Sequence, residues 1–303
     1  MTEDTVSLTP SQKKLLKTWW KKVMTNGIEL KQTGVFDVPL IESIRYAYTK
    51  ISFHNQQKEC YGLVPIVIAK CGSFLKQEAL YEEGIFRISG NSKRLSLLQS
   101  IFDRAEEDYG LNIDWTGYSV HDAANLMSRY LNRLPQPIII LEYQNSFKNI
   151  LGNIYTLFHL SISSLSLSSS DLDFPNLSSK IDGFQKLIEK LPTVHQYVLL
   201  YILDILYLFS LYYQHTRMDI SSLATTFTPA LFSDPNDALN PASYKKSQQV
   251  LEFLIQYQEH FSMPILNNLD SSSSKDDLFH LPPSLKRSNT TPSRRDSKAT
   301  SKS

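Results

Sequence analysis

Tyr81-Glu-Glu-Gly-Ile-Phe-Arg-Ile-Ser-Gly-Asn91 holds one cation, Arg87, among apolar residues that read as core anchors. Gly84 and Gly90 bracket it and let the backbone turn sharply on either side. Burial of Ile85, Phe86 and Ile88 would pin this loop and leave the guanidinium facing outward. A planar, permanently charged fork on an anchored loop suits an approach to another molecule's phosphates. The competing reading pairs Arg87 with a neighbouring carboxylate such as Glu82 or Glu83, the commoner fate of an arginine. From the loop alone, both readings stay open.

Outward from the loop, the apolar spacing is helical. Ser92 to Phe102 places Leu95, Leu98 and Phe102 on one face, with Asn91 as its cap. On the other side, Ile41–Ile51 and Val64–Leu75 read as helices, the second with Pro65 in its first turn. Asp114 to Tyr118 reads as a turn. Val120–Leu134 is a helix with Ala123, Leu126, Met127, Tyr130, Leu131 and Leu134 inward, stopped by Pro135-Gln-Pro137. Residues 161–180 are Ser-rich and read as a loop. Ile181–Leu191 and Val194–Gln214 form a helix pair across Pro192. Ile220–Phe227, stopped by Thr228-Pro229, and Tyr244–Phe261 complete the set. With about eight or nine helices and no convincing strand pattern, the predicted class is all-α. Val194–Tyr213 is long enough for a membrane span. Asp204 at its centre would cost ~2.5–3.5 kcal/mol there, so we read a buried core helix whose Asp204 faces a polar partner.

Charge divides the chain differently from hydrophobicity. The 303 residues carry a net charge of +1 and are 42% apolar, which suits a sizeable core and no nucleic-acid partner. Residues 1–33 hold six Lys against three acidic residues, a net +3, and residues 270–303 hold seven Lys or Arg against four Asp, also +3. The middle is therefore net −5. We divide the chain into an N-terminal segment 1–33, a domain over 34–265 and a disordered Ser/Thr-rich basic tail over 266–303. Within the first segment a helix capped by Ser11 would set Leu15, Leu16, Trp19, Trp20 and Val23 against five lysines. Such a helix suits peripheral contact with an anionic membrane, or packing on the domain with its lysines in water. Ser288 after Lys286-Arg287 is a candidate phosphorylation site in the tail.

The familiar catalytic constellations do not occur. The chain contains no G-x-S-x-G, H-E-x-x-H or G-x-x-x-x-G-K-[ST]. His54, His121, His159, His195, His215, His260 and His280 are scattered without metal spacing, so no metal and no cofactor is expected. His121-Asp122 reads as helix-start chemistry. Cys60 and Cys71 fit no zinc spacing and read as two reduced, partly buried thiols of a cytoplasmic protein.

The motifs together carry a resemblance. Val35-Phe-Asp-Val-Pro-Leu40, Ile66 to Cys71, Glu83-Gly-Ile-Phe-Arg-Ile-Ser-Gly90, Val120-His-Asp-Ala-Ala124 and Leu134-Pro-Gln-Pro137 resemble, in order and spacing, the Rho GTPase-activating (RhoGAP) domain. The likeness covers about residues 34–265. Asp114-Trp-Thr-Gly-Tyr118 ahead of Val120 resembles a fungal branch that acts on the Rho GTPase of cell-wall and actin regulation. The resemblance implies an all-α bundle whose Arg87 is an arginine finger for a GTP-bound Rho-family small GTPase. It also implies a contact surface that includes Gly84, Phe86, Ser89, Ser128, Arg129, Asn132 and Ala230. A finger of this kind is worth a factor of ~10³–10⁵ in rate. The expected setting is cytoplasmic, at the plasma membrane where the N-terminal helix engages lipid.

Some positions depart from the family pattern. In Met127-Ser-Arg-Tyr-Leu-Asn-Arg-Leu-Pro135, Ser128 stands where a lysine is common and Asn132 where an arginine is common. Arg129 is the nearest substitute cation, one residue and about 100° around the helix. Ala230 in Thr228-Pro-Ala-Leu231 stands where the family carries Asn. Three readings follow: a GTPase activator that turns over no substrate of its own, a non-catalytic Rho GTPase-binding module, and a membrane scaffold built on the two basic ends.

Overall fold

The computed structural model describes residues 34–55, 58–151, 175–233, 237, 240–264 and 285–286. The expectations for the N-terminal helix lie outside these residues, as do those for the tail apart from Leu285–Lys286. In chain order the elements are α1 (Leu40–Ser43), β1 (Tyr48–Asn55), β2 (Lys58–Pro65), α2 (Ile66–Glu78), α3 (Ser92–Phe102), α4 (Val120–Asn132), α5 (Leu141–Leu151), α6 (Pro175–Ile188), α7 (Thr193–Leu211), α8 (Tyr213–Thr216), α9 (Ile220–Leu231), α10 (Pro241–Gln256) and β3 (Leu285–Lys286). Among the described residues eight of the α-helices run for eleven residues or more, which agrees with the predicted all-α class.

α7 forms the centre. Val198, Leu199, Leu200, Ile202, Leu203, Ile205 and Leu206 on it are wholly enclosed. It touches α1, α2, α8, α9, α10 and β2. By length and composition it could cross a membrane, but 83% of its most apolar stretch is buried in the protein. Asp204 has the polar partner its position demands: Lys76 Nζ on α2 donates to its Oδ2 at 2.7 Å. The same Nζ sits 5.0 Å from the centroid of the Tyr201 ring. α2 also carries Cys71, a free and fully buried thiol that burial pushes up in pKa.

The structure corrects the periodicity reading in several places. The expected helix over Ile41–Ile51 stops at Ser43, and Tyr48 opens an antiparallel hairpin in which Ile51 faces Gly62. Thr49, Ile51 and Phe53 turn inward at a period of two, Ser52 between them is buried as well, and Tyr48 is exposed. That alternation overlaps the helical stripe, and pairing with β2 decides between them. In the tail, Leu285–Lys286 lie parallel to Ile51–Ser52 as a third strand.

α5 is an element the periodicity does not include. Its inward face is Gln144, Phe147, Lys148 and Leu151, so two of its four buried positions are polar. Gln144 Nε2 donates to the Ile139 carbonyl at 2.8 Å, and Lys148 Nζ pairs with Asp237 at 2.8 Å. α6 starts at Pro175, within the stretch read as a Ser-rich loop.

α9 runs through Pro229 to Leu231 instead of ending at Phe227. Proline at that point has no N–H for the Thr225 carbonyl. Tyr244 Oη on α10 donates to that carbonyl at 3.3 Å, so the interrupted ladder is partly made good from outside.

The Lys76–Asp204 pair is nearly enclosed, with side chains 12% and 11% exposed. Removing Lys76 takes the counter-charge from a nearly enclosed carboxylate. Lys76→Met is therefore expected to destabilise the protein by about 3 kcal/mol in urea unfolding.

Candidate functional site

The loop between α2 and α3 is fixed from below and open above. Gly84 has φ +70° and its N–H donates to the Thr216 carbonyl at the end of α8, 2.8 Å away. The Arg87 and Ile88 amides then both donate to the Gly84 carbonyl at 2.9 Å, closing a tight turn. Phe86 has φ +69°, a left-handed conformation that costs a bulky L-residue about 1–2 kcal/mol. Its ring is buried edge-on against Phe209 of α7 and Phe227 of α9, with centroids 5.0 and 5.1 Å away. Ile85 is fully enclosed. Ile88, expected in the core, is instead 46% exposed, because Gly84 leaves the space that its Cδ1 fills.

Between these anchors Arg87 is exposed. Among the described residues no carboxylate lies within 4 Å of its guanidinium. Glu82, the local partner considered above, lies instead 3.2 Å from His121 Nε2.

The C-terminal end of the loop closes on α4. Asp122 is fully buried. Its Oδ1 accepts the Asn91 N–H at 2.8 Å, and its Oδ2 accepts Arg94 Nε at 2.6 Å and the Ser119 N–H at 2.9 Å. Ser119 and Asp122 thereby form a capping box that starts α4. Burial alone would push the Asp122 carboxyl up, but the donors from Arg94, Ser119 and Asn91 prevail and hold it below the usual carboxylate range. Gly90 lies so close that a Cβ on it would sit 2.5 Å from Asp122 Oδ1 and 2.9 Å from Asp122 Cα. One turn further along α4, Asn125 Nδ2 donates to the Ile88 carbonyl at 3.0 Å. The helix-start reading of His121-Asp122 holds for Asp122. It misses that the carboxylate also receives the loop through the Asn91 N–H, a contact between residues 31 apart that no local sequence signal marks.

The expected contact residues divide in two. Arg87 and Ser89 are exposed on the loop, Asn132 is exposed on α4, and Ser128 is half-buried there. Gly84 and Phe86 are enclosed as anchors. Ala230 is 2% exposed on α9, so its side chain offers no surface to a partner, contrary to the expectation. Arg129 donates through Nη1 to Gln99 Oε1 on α3 at 3.1 Å. It is thereby turned away from the Ser128 position and does not stand in for a lysine there. Asn132 Nδ2 donates back to the Ser128 carbonyl at 2.8 Å.

Comparison with known proteins places this architecture. The sequence matches the RhoGAP domain family over residues 65–236, more than half of the chain. The chain belongs to that family. It is similar to Rho-GTPase-activating protein 5 of Schizosaccharomyces pombe, 32% identical over 254 residues, 82% of this chain and 64% of that protein. It is likewise similar to Rho-GTPase-activating protein BAG7 of Saccharomyces cerevisiae, 33% identical over 226 residues, 73% of this chain and 50% of that protein. The chain thus spans between half and two thirds of the length of these two relatives. The crystal structure of human Rho GTPase activating protein 15 shares the fold, with a TM-score of 0.57 at 17% identity over 84% of this chain and 100% of that one.

Two predictions test the loop's attachment. Gly90→Ala forces the loop away from Asp122 and is expected to destabilise by about 1–3 kcal/mol, read as a lowered Tm. The depressed Asp122 pKa stabilises the fold fully above about pH 4, the ordinary carboxylate value. That contribution is lost as pH falls through the lower folded-state value. The Tm gap between wild type and Asp122→Asn is therefore expected to hold steady from pH 7 down to about 4 and to narrow only below that.

Proposed function

We propose that this protein stimulates GTP hydrolysis by a Rho-family small GTPase in its GTP-bound form, with Arg87 as an arginine finger supplied in trans. What carries this reading is an exposed guanidinium, free of any carboxylate within 4 Å among the described residues, on a loop anchored by Phe86. Family membership and the printed names of the two yeast relatives support it.

Phosphoryl transfer spreads negative charge over the equatorial and leaving oxygens, so a planar cation held at that point lowers the barrier. The protein turns over no substrate of its own; it completes the partner's site. Ser89 on the loop and Ser128 and Asn132 on α4 present short polar groups, whereas Gly84, Phe86 and Ala230 are buried. With Ser128 and Asn132 uncharged, the contact surface on α4 has little electrostatic attraction, and association is expected to depend weakly on salt. The reading extends to cell-wall and actin regulation, and to a cytoplasmic location at the anionic inner face of the plasma membrane.

Single-turnover GTP hydrolysis by a panel of Rho-, Rac- and Cdc-type GTPases tests the proposal. Wild type is expected to accelerate at least one, and Arg87→Ala to lose about 10³-fold or more of that acceleration while still binding the GTP form. Binding to the GTP form without acceleration by the wild type would instead make the protein a non-catalytic binding module.

A further inference from the structure

We infer that Asn125 and Asp122 on α4 are positioning residues for the finger, which set how fast a bound GTPase hydrolyses GTP and not how tightly it is held. The rate part of this inference rests on the function proposed above. Among the described residues, and apart from the Asn91 carbonyl that opens α3, three backbone groups between Gly84 and Asn91 tie the loop to the rest of the protein. The first is the Gly84 N–H on the Thr216 carbonyl, ahead of the finger. The other two follow it and both end on α4: the Ile88 carbonyl on Asn125 Nδ2 and the Asn91 N–H on Asp122 Oδ1.

The Ile88 carbonyl belongs to the residue next to Arg87, so its direction fixes the exit of the finger's own backbone. Among the described residues Asn125 is the side chain that reaches it. Asn125 cannot swing freely, because its amide also donates to the His121 carbonyl at 2.8 Å. Asp122 lies three residues earlier, on the same face of the helix. It is held in turn by Arg94 and Ser119. The pair therefore forms a two-point clasp of fixed spacing along one turn of α4. Closing it orients the loop before any partner arrives. A misplacement of about 1 Å at a reacting centre can cost on the order of 10²-fold in rate.

The test uses the full chain with Asn125→Asp, which keeps the side chain's shape and points oxygens at two carbonyls. In single-turnover assays on the most responsive GTPase, the saturating rate is expected to fall about 10²-fold, with the half-saturating concentration changed less than about threefold. In an Arg87→Ala background the same change is expected to have no further effect on rate, since it acts through the finger. An unchanged saturating rate, a raised half-saturating concentration alone, or full additivity with Arg87→Ala would each overturn the inference. Amide hydrogen exchange gives a second readout that needs no GTPase. Protection over residues 87–91 is expected to drop in Asn125→Asp and in Asp122→Asn, with the α7 amides unchanged. If the wild type accelerates no GTPase, the proposed function fails and exchange alone decides the clasp: unchanged protection at 87–91 refutes it.

Discussion

Phe86 occupies a backbone conformation that its side chain disfavours, and two rings hold it there. Phe209 and Phe227 meet it edge-on at 5.0 and 5.1 Å, from helices α7 and α9 that also pack on each other. Edge-to-face aromatic pairs contribute roughly 0.5–1.5 kcal/mol beyond their buried area, enough to offset about 1–2 kcal/mol of left-handed strain. The direction of the next residue, Arg87, is thus set by the packing of the central helices. Loss of that packing would move Arg87 even with every loop residue intact.

An arginine that must serve another molecule faces two opposing demands. It has to stay exposed and unpaired, since a local carboxylate would compete for the fork. Yet a freely moving side chain on a mobile loop would lose much of its catalytic value to disorder. The structure meets the first demand by giving Glu82 to His121 and the Asp122 carboxylate to Arg94, Ser119 and Asn91. It meets the second by fixing backbone groups on both sides of Arg87. The side chain itself stays exposed.

Much of this was legible in the sequence, and the failures have physical reasons. α3 and α4 were readable because a capping residue precedes each and apolar residues fill the inward positions. Burial of α7 followed from the charge at its centre, and Lys76 supplies the counter-charge that the sequence required but could not name. The hairpin was misread because Ile51 fits both a helical stripe and an alternating strand, and only its pairing with β2 distinguishes them. α5 escaped because Gln144 and Lys148 face inward, each matched by a partner remote in sequence, the Phe232 carbonyl and Asp237. At the site, Arg87 and its loop were readable from the anchors and the flanking glycines. The roles of Asn125 and of Asp122 beyond its cap were not, since they depend on a helix that begins some thirty residues after the loop. Ile88 was misassigned because hydrophobicity alone does not show that it covers Gly84 from outside.

In the proposed function, Arg87 stabilises a charge that exists only as the phosphoryl group moves. That role is tested most directly by comparing affinities for one responsive Rho-family GTPase in two loaded states. One state carries a non-hydrolysable GTP analogue; the other carries GDP with aluminium fluoride, a mimic of the group in transfer. A group complementary to the transition state binds the mimic more tightly than the ground state. The account predicts that the wild-type protein prefers the aluminium fluoride form, and that Arg87→Ala loses this preference while keeping its affinity for the analogue. Equal affinity of the wild type for both states, or a preference that survives in Arg87→Ala, would contradict it.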